Sequence, residues 1–246
     1  MSTATIEKPE TPAPPKPESA PVPARRSAPI ATEHGVYRRP LQHFVGAGKW
    51  SDTVGRRDLH QHVEEEIGDP NGVLILDGSG FEKSGPESVG VARQWCGRLG
   101  KVENCQVGLF VGYSSPKGAT LLDAELYLPE DWAEDLERRA KTHVPREIEF
   151  QKNWQLTDLL LQRVSPRISH AWVIGDDEFG RPQEFRDRLA DRNERYLLEV
   201  PCNTNVRRPG SAKWESVQKL KTKRQRWTHF RLRDGEKGPL EVKAFS

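Results

Sequence analysis

The chain has 246 residues, 35% of them hydrophobic and 30% charged, with a net charge of +2. That is enough for one sizeable domain with tails, or two small domains, and no window approaches the roughly 20 apolar residues of a membrane span or the apolar stretch of a secretory signal. Cys96, Cys105 and Cys202 have no C-x-x-C spacing; this argues against structural zinc or a disulfide framework and predicts three buried thiols in a reducing cytoplasm.

Residues 1–32 are rich in Pro, Ala, Ser, Thr and Glu without apolar periodicity, a composition that predicts a disordered tail. Residues 33–70 are predicted to be helical. Ser51 or Asp52 can cap a helix through Leu59, Val63 and Ile67 that stops at Gly68-Asp69-Pro70. His60 and His62 stand two apart on different helix sides, and both read as surface residues. Residues 72–76 form an almost uninterrupted apolar run, predicting a central strand buried on both faces. The run ends on Asp77 and opens into Gly78-Ser79-Gly80, read as a turn. A second strand is predicted within Val89–Trp95. Asn104–Tyr113 and Ala119–Leu128 flank Ser114-Ser115-Pro116-Lys117-Gly118 and read as a hairpin.

Leu156, Leu159, Leu160 and Val164 recur at helical spacing, with Pro166 beyond the end. Residues 171–175 form a short buried strand that ends on Asp176, with Gly180 close behind. Pro182 opens a helix through Phe185 and Leu189, and Tyr196–Val200 reads as another strand. Trp227–Leu232 and Leu240–Phe245 read as strands around an Asp234–Gly238 turn. The order predicts an α/β fold: an antiparallel meander, then parallel strands flanked by helices. A right-handed crossover lays 171–175 parallel to an earlier strand, and if that strand is 72–76, Asp77 and Asp176 emerge side by side.

Two strand-end carboxylates side by side are a plausible holder for Mg²⁺ or Mn²⁺, because hard cations take oxygen ligands. Two such ions about 3.5–4 Å apart activate a nucleophile and stabilise a leaving oxygen in phosphodiester chemistry. Strand-end aspartates are also common caps and turn formers. Asp177 and Glu178 compete with Asp176 for the ligand role, and Asp123, Glu125 and Glu103 are further candidates. No phosphate-binding loop, nucleophile elbow or H-E-x-x-H pair is present. Ser79, with His143 or His170, is the remaining nucleophile candidate.

Charge is unevenly spread. From Arg207 to Ser246, twelve lysines and arginines face four acids, a surplus of +8 that leaves −6 for the rest. Arg207, Arg208, Lys219, Lys221, Lys223, Arg224 and Arg226 are the candidate phosphate contacts of a nucleic-acid-binding arm; a solvated surface or an unfolded basic tail is the alternative.

The stretch Gly68–Gly85 (GDPNGVLILDGSGFEKSG) resembles the first catalytic block of bacterial insertion-sequence transposases of the DDE superfamily endonuclease class. Val89–Trp95, Val102–Gly108 and Glu125–Trp132 are similar to its next blocks, and Val173–Gly180 (VIGDDEFG) resembles its second catalytic block, which selects Asp176 over Asp177. The resemblance covers roughly residues 37–202. It implies an RNase H-like core at 71–202, Asp77 and Asp176 as catalytic metal ligands, and Mg²⁺ or Mn²⁺ as cofactor. Its partner would be double-stranded DNA (transposon ends and target), cleaved and then joined through a 3′ hydroxyl. A cytoplasmic, nucleoid-associated protein follows, with a homo-oligomer assembling on DNA and no membrane contact. The family's third ligand, a Glu in a Tyr…Arg…Glu…Lys helix, has no counterpart, since Glu215, Glu236 and Glu241 stand in other contexts. Residues 203–246 then read as a basic, partial insertion region of a truncated chain that is inactive alone. A non-catalytic DNA-binding remnant is the alternative.

Overall fold

The structure, a computed structural model, describes residues 35–48, 51–207, 210–220, 228–235 and 238–244. The tail expected at 1–32 lies outside them. The chain divides into compact units at residues 1–51 and 52–246, so the boundary falls inside the segment read as one helical stretch. In the first unit the described helix is α1 (Arg38–Ala47).

The second unit opens with α2 (Asp52–Ile67). Asp52 accepts from the Thr53 N–H and pairs with Arg56 at 2.8 Å, one turn on. The helix ends where Gly68 donates to the Glu64 carbonyl and Pro70 follows shortly after. His60, Val63 and Ile67 fall on one stripe at helical spacing, and this stripe faces the sheet. His60 is therefore buried, with Nε2 3.1 Å from the Leu122 carbonyl oxygen, contrary to the surface expectation; His62 is exposed as expected.

Four strands follow: β1 (Val73–Glu82), β2 (Ala92–Cys96), β3 (Lys101–Ser115) and β4 (Gly118–Leu126). The β3–β4 hairpin turns at Pro116-Lys117 as expected. The strand β1 does not stop at Asp77. It continues antiparallel to β3 as far as Glu82 opposite Cys105, so Gly78-Ser79-Gly80 is strand rather than turn. Continuous pairing with β3 supplies the backbone hydrogen bonds that a turn would otherwise provide.

After α3 (Glu130–Glu134) and α4 (Leu136–Lys141), helix α5 (Asn153–Val164) crosses back over the sheet. It returns the chain to β5 (Trp172–Gly175), parallel to β1 with Leu76 opposite Gly175. A short helix α6 (Asp177–Gly180), then α7 (Gln183–Asp191), leads to β6 (Tyr196–Leu198), parallel to β5. The sheet order is β2-β3-β1-β5-β6, with β4 also on β3. Because β1 takes one side of β3, β2 and β4 lie end to end on the other, along Lys101–Cys105 and Gly108–Ser115. This is a mixed sheet of antiparallel and parallel strands flanked by helices, the α/β arrangement that the order of elements predicted.

The core is one-sided. Leu74, Leu76, Leu109, Val111, Tyr113, Leu122 and Val173 form a buried layer against Leu160, Leu161 and Val164 of α5, Val63 of α2, and Phe179, Phe185 and Leu189. Val73 and Ile75 point the other way and are only half-buried, so β1 is not buried on both faces. On that outer face Leu121 is 60% exposed and Leu197 70%. Cys96 and Cys105 are buried, but Cys202 lies exposed beyond the last core strand.

A short hairpin, β7 (Asn205–Arg207) with β8 (Trp214–Ser216), leads into a turn of helix, α8 (Val217–Leu220). The expected hairpin closes the described chain as β9 (Thr228–Gly235) and β10 (Gly238–Ala244). Among the described residues, no helix is long and apolar enough to cross a membrane.

Candidate active site at the ends of the central parallel strands

Asp77 follows Leu76 on β1, and Asp176 follows Gly175 on β5. Because Leu76 and Gly175 are opposite each other in the parallel register, the two aspartates leave the paired region at matching positions. Gly175 leaves little room there: a Cβ would crowd the Phe179, Leu198 and Leu76 side chains at 3.1–3.3 Å. Both carboxylates are exposed. The Asp77 carboxyl is held above its usual range, first by desolvation from surrounding protein and then by the Asp176 charge, against an opposing hydrogen bond from the Gly78 N–H. Like charges disfavour ionisation when they share a site.

The local sequence also fixes Asp176 by capping. Its side chain accepts from the Glu178 N–H at 3.0 Å and opens α6. Asp177 is taken by Arg181 at 2.5 Å, so it is not the free carboxylate of the pair. Glu178 accepts from the Asn153 amide at the start of α5. Its carboxyl is raised, chiefly by desolvation, with Asp176, Asp177 and Asp77 adding to the shift and Asn153 opposing it. Glu178 thus faces the aspartate pair, which sequence reasoning held only as an alternative to Asp176. Asn153 was missed, and its place at the first turn of α5 was the available signal.

The other acidic candidates are committed elsewhere. Asp123 is buried and bound by Arg163 at 2.9 Å, Glu125 by Arg163 at 2.7 Å, and Glu103 by Lys101 at 2.8 Å. Nor do the histidines serve Ser79. His170 meets the Ile168 carbonyl at 2.7 Å and Glu194 at 3.0 Å through its two ring nitrogens, and His143 sits exposed in a positive-φ turn.

Two hollows flank the carboxylates. On the outer face Asp77 borders an apolar hollow of about 600 Å³ with Ile75, Phe81, Phe110 and Leu121. On the inner face Asp176 and Glu178 border a cleft of about 300 Å³ that runs over Gly78 and Gly80 to Trp95 and Tyr127.

Hard carboxylate oxygens suit a divalent cation, whose charge would offset the desolvation, and the smaller Asp176 repulsion, that raise Asp77. Among the described residues, however, no group of three or more potential ligands is gathered closely enough to hold a metal. The set is a pair with Glu178 turned aside to Asn153.

Of the basic candidates, Arg207 is exposed with its guanidinium 5.4 Å from the Trp214 ring, and Lys219 is exposed on α8. Arg208, Lys221, Lys223, Arg224 and Arg226 lie outside the described residues.

The family model of the DDE superfamily endonucleases matches residues 21–242. The chain belongs to this family. No curated protein matches it. Among solved structures it is similar to the Mos1 transposase in its paired-end complex with the left transposon end, at 14% identity and a TM-score of 0.26, too low to bear on the fold. That match covers 71% of this chain and 54% of the transposase chain, so the chain spans about half of that relative's length.

Proposed function

We propose that this chain is the core of a transposase that cleaves DNA and transfers strands by two-metal phosphoryl transfer. Asp77 and Asp176 hold Mg²⁺ or Mn²⁺. The observation that carries this reading is the β1–β5 register, which brings together two aspartates about a hundred residues apart within an endonuclease family. A bound divalent cation supplies charge stabilisation for the attacking and leaving oxygens. The chain's own part is placement: Asp77 is fixed by strand pairing and Asp176 by its capping bond to Glu178 N–H. The basic region beginning at Arg207 holds duplex DNA, transposon ends and target alike, through phosphate contacts that position but do not read sequence. The protein works in the cytoplasm, on the nucleoid when bound, as a homo-oligomer. With two carboxylates placed for metal among the described residues, we expect weak nicking from this polypeptide alone until a third ligand is supplied.

A second reading, a non-catalytic DNA-binding protein, is favoured by the lack of a three-ligand group among the described residues and by Trp214, 62% exposed beside Arg207. Nicking of supercoiled plasmid in Mn²⁺ separates the two. The catalytic reading predicts slow nicking, reduced at least about 100-fold in Asp77→Asn and in Asp176→Asn. Salt-sensitive DNA binding without nicking, equal in wild type and Asp77→Ala, would establish the second reading.

A further inference from the structure

Every second residue of a strand points to the same side, so the outer face of β1 reads Val73, Ile75, Asp77, Ser79, Phe81. The row is apolar except for Asp77 and Ser79, which stand together just where β5 ends. Leu76 is the last β1 residue with a β5 partner, Gly175. Beyond it, among the described residues, Asp77 and Ser79 have β3 on one side and no strand on the other. At about 3.3 Å per residue the two lie about 6.6 Å apart along the strand. Both border the hollow formed with Ile75, Phe81, Phe110 and Leu121.

The packing gives the Ser79 hydroxyl no use. Its neighbour across the sheet on β3 is Gly108, which has no side chain to offer, and Asp77 likewise faces the apolar Phe110. Ser79 is half-buried, and among the described residues its hydroxyl has no hydrogen-bond partner. A polar group in an apolar lining is disfavoured unless it bonds something, and a β-branched or aromatic residue would suit the strand better. The extended backbone matters as well. A turn at Gly78-Ser79-Gly80 would carry Ser79 out of line with Asp77, whereas pairing with β3 as far as Glu82 keeps both on one face.

We propose that the Ser79 hydroxyl oxygen is a further ligand of the divalent cation held at Asp77. This assignment rests on the proposed function, since it needs a cation at Asp77. Mg²⁺ and Mn²⁺ take hard oxygen donors, and a serine or threonine hydroxyl serves as one in phosphate-binding loops. Ser79 is neutral, so it adds a ligand without adding to the repulsion between Asp77 and Asp176. For the same reason it does not stand in for a third carboxylate. Strand pairing fixes both backbones, so Asp77 and Ser79 present their oxygens from one rigid edge.

The test is calorimetric titration of Mn²⁺ and of Cd²⁺ into the full-length chain without DNA. A soft thiol in place of a hard hydroxyl shifts a ligand set towards the softer cation. Ser79→Cys, nearly isosteric, is expected to raise affinity for Cd²⁺ relative to Mn²⁺ at least about 10-fold over wild type. Ser79→Ala is expected to weaken Mn²⁺ binding about 10-fold. Comparison with wild type accounts for Cd²⁺ taken up by the exposed Cys202. The gain also needs Asp77, so it disappears in the double variant Ser79→Cys, Asp77→Ala. Equal Mn²⁺ affinity in wild type and Ser79→Ala, an unchanged cation preference in Ser79→Cys, or a gain that survives in the double variant overturns Ser79 as a ligand and leaves the aspartate pair standing. Absence of a saturable Mn²⁺ heat in wild type overturns the metal reading itself.

Discussion

Gly180 shows how tightly the second acidic block is built. A Cβ there would sit 1.8 Å from the Glu199 backbone carbonyl, which cannot rotate away as a side-chain tip could. Gly180→Ala is therefore expected to cost on the order of 2–3 kcal/mol, read as a fall in urea midpoint at unchanged slope. His170 and Glu194 form a second sensitive point, bonded at 3.0 Å and largely buried, with Ser165 also donating to Glu194. Burial lowers the His170 pKa, but the Glu194 hydrogen bond, the Ile168 carbonyl and nearby carboxylates outweigh it and leave the value raised; Glu194 is lowered, chiefly by the His170 bond. The histidine's contribution is complete below its ordinary value of 6.5 and disappears as pH climbs through the raised value. The glutamate's is complete above its ordinary 4.5 and disappears as pH falls through the lowered value. The pair therefore stabilises most between those two ordinary values. His170→Gln should lose on the order of 1 kcal/mol more at about pH 5.5 than at about pH 8.5, and a gap that does not change with pH would dismiss the pair as a charged contact.

Periodicity made most elements legible. The spacing of Val63 and Ile67, of Leu156 to Val164, and of Phe185 and Leu189 located three helices, because an amphipathic stripe must repeat at the helical period to reach a core. The apolar runs at 72–76 and 171–175 located the central parallel pair. Local pattern was blind to partners, and the misreadings follow from that. Gly78-Ser79-Gly80 has the composition of a turn, yet β3 pairs along its whole length and keeps it extended. His60 looks polar, yet it lies on the same stripe as Val63 and caps the Leu122 carbonyl. An uninterrupted apolar strand usually means burial on both faces, but α2, α5, α6 and α7 all contribute to the inner layer. That asymmetry has a measurable consequence. Leu76→Ala should cost about 2–5 kcal/mol, whereas Leu121→Ala, 60% exposed on the outer face, should stay within about 0.5 kcal/mol. Similar losses at the two positions in urea unfolding would mean that the outer face is covered.

In the proposed function the acidic body holds metal and the basic C-terminal region holds phosphate, a division suggested by the charge count but not by any single motif. Arg207 and Lys219 are exposed cations of that region, and replacing either by Ala should weaken duplex binding and lower the slope of log K against log salt by about 1. Of the candidate site, the aspartate pair could be read from the sequence because each member ends an apolar run, and the family resemblance then chose Asp176 over Asp177. The Asn153–Glu178 contact and the inner cleft could not be read, because they join β1, β2, α5 and α6, whose meeting depends on strand order. Everything proposed for function depends on Asp77 and Asp176 acting together on a cation. Calorimetric titration of Mn²⁺ into wild type, Asp77→Ala and Asp176→Ala measures this directly. The pairing predicts a saturable heat in wild type that either substitution abolishes, with Asp177→Ala leaving it in place; equal heats in wild type and Asp176→Ala would contradict it.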